Sequence, residues 1–130
     1  MSGRILFGIC GGIAAYKCCE LVRMMVKDGF DVHCVLTSAG AKFVTPLTLQ
    51  TLSGNVVHTD MFDLMRGKKV NHISLARDSD IILIAPATAD IIARTACGIC
   101  DDLLSTVICA TKSPVLFAPS MNNNMWENRI

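Results

Sequence analysis

The stretch GICGGIAAYK, from Gly8 to Lys17, ends an apolar run on two adjacent glycines and then opens a helix-like pattern. Gly11 and Gly12 permit a tight turn, and a helix begun there offers free amides and its positive dipole end, which suits a phosphate. The spacing is Gly8-x-x-Gly11-Gly12, so neither GxGxxG nor a Walker loop is present. Simple strand–helix packing explains a lone glycine pair equally well. Among groups able to move protons, His72 follows a polar, Gly/Lys-rich segment and begins a short helix, where an ordinary solvent or backbone partner also accounts for it. Asn122 follows an apolar run and suits a turn or a helix N-cap. Met121, Met125 and Trp126 are compatible with core packing. His33 alternates within a strand and His58 lies in a mixed polar region; neither belongs to a motif.

Seven cysteines (Cys10, Cys18, Cys19, Cys34, Cys97, Cys100 and Cys109) form an uneven set, most of them inside apolar periodic segments. Such thiols are hazardous in an oxidising compartment, which points to the cytoplasm. Cys97-Gly-Ile-Cys100 has CxxC spacing, but no second CxxC and no suitably spaced histidine pair accompanies it, so no metal is expected. Ordinary packing at a helix end is the simpler reading.

The elements that position these residues follow from periodicity. Arg4 to Ile9 reads as a buried strand, and Ile13 to Asp28 as an amphipathic helix with Ala14, Cys18, Leu21, Val22 and Met25 on its apolar face. Gly29 stops that helix. Asp31 to Thr37 reads as a second strand. SAGAKFVTP starts a short helix that Pro46 interrupts, leaving LTLQTLSG ambiguous. Asn55 to Asn71 is mixed and polar, with Gly67-Lys68-Lys69 its most flexible point, and His72 to Asp78 forms a helical turn or two. Ile81 to Ala85 and Val115 to Ala118 read as strands, Thr88 to Thr95 and Asp102 to Ala110 as helices. Strand and helix in alternation predict a parallel sheet covered on both faces, a three-layer α/β sandwich of Rossmann-like or flavodoxin-like type. Function in such a sheet gathers at the carboxyl ends of the strands.

The 130 residues suit one domain, and an apolar share of 52% is enough for a core. The longest apolar runs are too short to span a bilayer, and no signal peptide is evident. A net charge of +1 without basic runs gives no reason to expect nucleic acid.

GICGGIAAYK, NHISLARDSD, APATADIIAR and APSMNNNMW, in that order, resemble the homo-oligomeric flavin-containing cysteine decarboxylases. PSMNNNMW fits that family's P-x-M-N-x-x-M-W signature, and the similarity runs from Ile5 to Trp126. It favours the phosphopantothenoylcysteine decarboxylase branch, commonly the N-terminal half of a bifunctional decarboxylase/ligase of coenzyme A synthesis. The resemblance implies flavin mononucleotide (FMN) wrapped by the turn Gly12, Ile13 and Ala14. Thr37 and Ser38 would help hold its phosphate and ribityl chain, and Thr88, Ala89, Asp90 and Ser120 would line the flavin. Cys10 stands where relatives often carry serine. His72 falls on the family's active-site histidine, Asn122 on the asparagine that binds the substrate carboxylate, and Met125 on a wall of the substrate pocket.

The implied reaction is decarboxylation of 4'-phosphopantothenoylcysteine to 4'-phosphopantetheine, a small-molecule reaction without nucleic acid or membrane. Flavin oxidises the thiol-bearing carbon to a thioaldehyde, carbon dioxide leaves to give an ene-thiolate, and reduced flavin returns the electrons. Relatives form trimers or dodecamers, with flavin near a subunit interface. They also carry a substrate-covering loop with a cysteine proton donor and a last strand after the signature. The sequence reaches Ile130, so residues 1–130 are expected to be the flavoprotein domain without that loop, last strand or ligase half, and with reduced turnover. The alternatives are a non-catalytic FMN-binding or regulatory subunit, or another cysteine-decarboxylating member of the same family.

Overall fold

The computed structural model describes residues 3–62 and 72–130. Four strands, β1 (Arg4–Ile9), β2 (Asp31–Leu36), β3 (Ile81–Ala87) and β4 (Val115–Pro119), form one parallel sheet in the order β2-β1-β3-β4. The helices among the described residues are α1 (Ala15–Lys27), α2 (Pro46–Ser53), α3 (His72–Asp78), α4 (Ala89–Cys97), α5 (Leu103–Ala110) and the single turn α6 (Asn123–Trp126). This is the expected α/β sandwich, of flavodoxin-like type.

Strand pleating divides the core in two. Phe7, Ile9, Val32, Cys34, Leu36 and Ala85 face α1 and α2 with Ala15, Cys18, Val22 and Leu49. Leu6, Cys10, Val35, Ile82 and Ile84 face the opposite layer, where Leu75, Ala76, Ile91, Leu103, Leu104 and Val107 of α3, α4 and α5 cover them. Gly8 points into this second layer, and any side chain there would strike Leu104 and Ile84. The chain runs outward from β1 to β2 and then crosses back to β3. The strand order therefore reverses between β1 and β3, where a doubly wound sheet opens a crevice at its carboxyl edge.

Three local readings change. Pro46 does not interrupt a helix; it starts α2. Its missing N–H falls at the first helical position, where no intrahelical partner exists, while Thr45 caps the turn by accepting from Thr48 N at 3.2 Å. Only a 3-10 turn, Gly40–Lys42, forms in the segment before it. β3 runs on to Ala87, past the expected end, because its pairing with β4 skips Ala85 and Pro86 (the proline with no N–H to give) and resumes at Ala87 opposite Pro119. The Ala85–Pro86 peptide is cis. Within the polar region His58 bonds to β2 through its backbone, N to Cys34 O and O to Leu36 N, both at 2.9 Å. Gly67, Lys68 and Lys69 lie outside the described residues.

No described helix is long and apolar enough to cross a membrane.

Candidate functional site

The crevice between the ends of β1, β2 and β3 is built from short loops pressed together. The β1–α1 turn runs against the loop after β2 so closely that a Cβ at Gly11 would overlap Cβ of Ala39 and lie 3.0 Å from its carbonyl carbon. A Cβ at Gly40 would come within 2.7 Å of Ile9 O. Gly12 is less constrained: its nearest neighbour would be Pro86 Cγ at 3.4 Å, and neither Gly11 nor Gly12 has a positive φ. The glycine pair thus serves close backbone approach, not a left-handed turn. α1 then begins after Ala14 with no side-chain cap; its first amides, Ala15 N and Lys17 N, donate instead to the turn's own carbonyls, Gly12 O at 2.9 Å and Ala14 O at 3.0 Å. Ile13 on this turn is 71% exposed.

Cys10, Thr37, Ser38, Thr88, Asp90 and Arg94 line one cleft, together with Ala39, Ile91 and Asp102. The structure therefore gathers Thr37 and Ser38 from the loop after β2 and Thr88 and Asp90 from the β3–α4 junction, beside the Gly12 turn. Their side chains are not equally available. Thr37 Oγ1 accepts from Gly40 N at 3.0 Å and lies 3.4 Å from Ile9 O, so it braces the 3-10 turn. Thr88 Oγ1 caps α4, accepting from Ile91 N at 3.3 Å, which leaves its hydroxyl proton to donate. Ser38 is exposed at the rim. Asp90 Oδ2 accepts from Arg94 Nε at 2.9 Å, and Arg94 also bonds Asp101. Ser120 donates its backbone N–H to Ala87 O at 3.1 Å, tying the end of β4 to the end of β3.

Burial pushes the Cys10 thiol up to about 12, only partly offset by the Thr88 backbone amide, so at neutral pH it is a neutral thiol. Arg94 and Asp102 are cleft residues that the motifs did not reveal. The i,i+4 spacing of Asp90 and Arg94, and the D-x-x-S pattern before α5, were the available signals. Asp102 caps α5 by accepting from Ser105 N at 2.9 Å while Ser105 Oγ accepts from Asp102 N at 3.2 Å.

His72, Asn122 and Met125 do not line this cleft. His72 is half-buried at the start of α3. Asn122 caps α6, its Oδ1 accepting from Asn124 N at 2.8 Å; among the described residues its Nδ2 has no acceptor. Met125 and Trp126 are 54% and 65% exposed, so neither packs in the core of this chain, and Met121 is half-buried. His33 lies at the other edge of the sheet, with Nε2 3.0 Å from Asp31 Oδ2. Cys10, Cys18 and Cys34 are buried and Cys19 half-buried, but Cys97, Cys100 and Cys109 are exposed. The CxxC segment does mark a helix end, with Gly98 as the left-handed cap of α4, yet its thiols face solvent instead of packing.

Residues 2–130 match the Flavoprotein family. The chain belongs to that family. It is 50% identical over 125 residues to the coenzyme A biosynthesis bifunctional protein CoaBC of Vibrio cholerae, which covers 96% of this chain and 31% of that protein. Against the CoaBC of Escherichia coli the identity is 45%, over 95% of this chain and 30% of that one. This flavoprotein chain thus spans about a third of the length of the curated relatives it matches. Among solved structures, the FMN-dependent cysteine decarboxylase SpaF superposes with a TM-score of 0.88 at 28% identity, covering 98% of this chain and 73% of SpaF. A PPC decarboxylase mutant complexed with pantothenoylaminoethenethiol gives 0.81 at 30% identity, covering 98% and 72%.

Proposed function

We propose that this flavoprotein chain is the FMN-dependent unit that decarboxylates 4'-phosphopantothenoylcysteine to 4'-phosphopantetheine in coenzyme A biosynthesis. The observation that carries the proposal is the 50% identity to CoaBC across 96% of the chain. The cleft suits the cofactor: Gly11 and Gly40 let its loops close up backbone to backbone, Gly12 leaves room for a methyl at its mouth, α1 starts there without a side-chain cap, and the hydroxyls of Thr37, Ser38 and Thr88 are in its lining. Gly12, Ile13 and Ala14 would hold FMN through their backbone. Ser38 and Thr88 would donate hydroxyl protons to it, with Thr37 bracing the loop behind. Ala89, Asp90 and Ser120 would complete the lining.

When bound, the flavin supplies a two-electron sink at the cysteine carbon, without which the carboxylate's electrons have nowhere to go. The chain's own residues then orient and protect. Asn122 is suited to the substrate carboxylate because its Oδ1 is engaged by the Asn124 amide of α6, which leaves its Nδ2 to donate. Met125 supplies an apolar wall. His72 serves as a base toward, or polarises, the reacting cysteine side chain. Because His72, Asn122 and Met125 stand apart from the cleft in a single chain, the site is completed between copies in a homo-oligomer, and exposed Ile13, Met125 and Trp126 supply apolar surface for the contact.

The test uses the full-length polypeptide. Acid-released cofactor is identified by mass, the assembly is sized, and phosphopantothenoylcysteine is compared with a peptide ending in cysteine. FMN, an oligomer and turnover of the pantothenoyl substrate are expected. A dinucleotide, absence of flavin affinity, or a preference for the peptide overturns the reading.

A further inference from the structure

α3 has only seven residues, too few to be stable alone, so its position depends on tertiary ties. Those ties converge on its C-terminal end. Ser79 Oγ donates to Leu75 O at 2.9 Å, a buried bond. From the α5–β4 loop, Thr111 Oγ1 donates to Ala76 O at 3.1 Å, and Ser113 Oγ donates to Ser79 O at 2.5 Å. Ala76 O is one of the carbonyls that a helix leaves without an intrahelical partner, and the Asp80 amide that would continue the ladder bonds Arg4 O on β1. Thr111 Oγ1 also accepts from Ser113 N at 3.0 Å, so the two loop residues form one rigid hook. Ile82 N donates to Pro114 O at 2.9 Å, which anchors the hook in the sheet.

We propose that Thr111 and Ser113 are positioning residues for His72: by clamping the Ala76 carbonyl of α3 and the Ser79 carbonyl just past its end to the sheet, they set the angle and height at which the helix presents the histidine at its first position. The proposal rests on the reading of His72 as the active-site histidine. A rigid rod held at one end transmits a small tilt to the other, and misplacement of a reacting group by about 1 Å lowers rates by up to a hundredfold.

The experiment compares Thr111→Val, Thr111→Ser, Ser113→Ala and His72→Asn in the full-length, FMN-loaded protein. Thr111→Val and Ser113→Ala are expected to lower kcat roughly ten- to hundredfold, with KM and FMN affinity unchanged. Thr111→Ser, which keeps the hydroxyl, restores kcat. Ser113→Ala leaves Thr111 in place and gives the reading if Thr111→Val does not fold. Wild-type kcat in both loop variants, with His72→Asn inactive, overturns the positioning role and leaves His72 in place. Parallel loss of FMN binding, or a kcat that Thr111→Ser does not restore, also overturns it by assigning the hydroxyls to general stability. An active His72→Asn removes the histidine itself and the positioning role with it.

Discussion

A methyl at Gly11 would collide with Ala39, whereas one at Gly12 would rest in ordinary contact with Pro86, so two adjacent glycines answer differently to the same substitution. Gly11→Ala must push apart the two loops that shape the cleft. A cost of about 1–3 kcal/mol is expected from such overpacking, with weakened FMN binding. Gly12→Ala should stay within about 1 kcal/mol, since its neighbours need barely move. Urea unfolding and flavin titration of both variants check this; equal effects would mean that close approach is not what Gly11 provides. On the proposed function, the residues assigned to the substrate behave in the opposite sense. His72→Asn and Asn122→Asp lie outside the cleft, so both should keep bound FMN yet lose decarboxylation by about a hundredfold or more. On the same reading, Asn122→Asp also sets a negative charge against the substrate carboxylate. Normal turnover in either variant removes that residue from the mechanism.

Helix starts show how an element's local chemistry reaches the site or fails to. Thr45 caps α2, which contributes nothing to the cleft, while Asp102 caps α5 and lines the cleft as well. Replacing either by alanine removes an acceptor for a helix-start amide and should cost about 1 kcal/mol. Only Asp102→Ala should also change flavin affinity. Urea midpoints with and without FMN separate the two: ligand stabilisation stays intact in Thr45→Ala and changes in Asp102→Ala. Pro46 belongs to the same lesson. A proline inside an apolar pattern reads as a break, yet behind a threonine cap it begins a helix, and the two readings differ by one residue of register.

Across the whole molecule, the edge of the sheet away from the cleft carries a polar knot. Asp31 accepts from Arg4 Nε at 3.0 Å and from Asn55 Nδ2 at 3.1 Å, with His33 Nε2 at 3.0 Å. Burial raises this carboxyl, but the bonds from His33 and Asn55, the charge on His33 and the Arg4 guanidinium outweigh it and hold the group below the ordinary carboxylate range. A lowered folded-state value means stability that is present above the unfolded pKa and lost as pH falls through the folded one. The stability difference between wild type and Asp31→Asn should therefore be present above about pH 4 and be lost as pH falls further. The side chain is 40% exposed, so the gain is modest and shrinks with added salt. Urea midpoints from pH 3 to 7 test it. A constant difference would show that Asp31 acts through packing. FMN binding at neutral pH should be unchanged, because the cleft lies at the opposite edge.

Periodicity alone was enough to place β1, α1, β2 and β4, because a buried strand or an amphipathic helix writes its environment into neighbouring residues. Family membership was equally legible, since a cofactor site needs particular short stretches, and four of them survive in order from Gly8 to Trp126. What those stretches do to one another was not legible. Why Gly11 must be glycine depends on Ala39, brought near by the pairing of β1 with β2, and what holds α3 depends on Thr111 and Ser113, brought near by the pairing of β3 with β4. The cysteines show the same division. An apolar neighbourhood predicted burial correctly for Cys10 and Cys34 at the strands, which a helix layer covers, and for Cys18 on the sheet-facing side of α1. It failed for Cys97, Cys100 and Cys109, which lie near helix ends where no second layer reaches. Local pattern reports how a residue's own element is built; burial, exposure and the free hydrogen-bonding capacity of a side chain are set by which other elements arrive beside it.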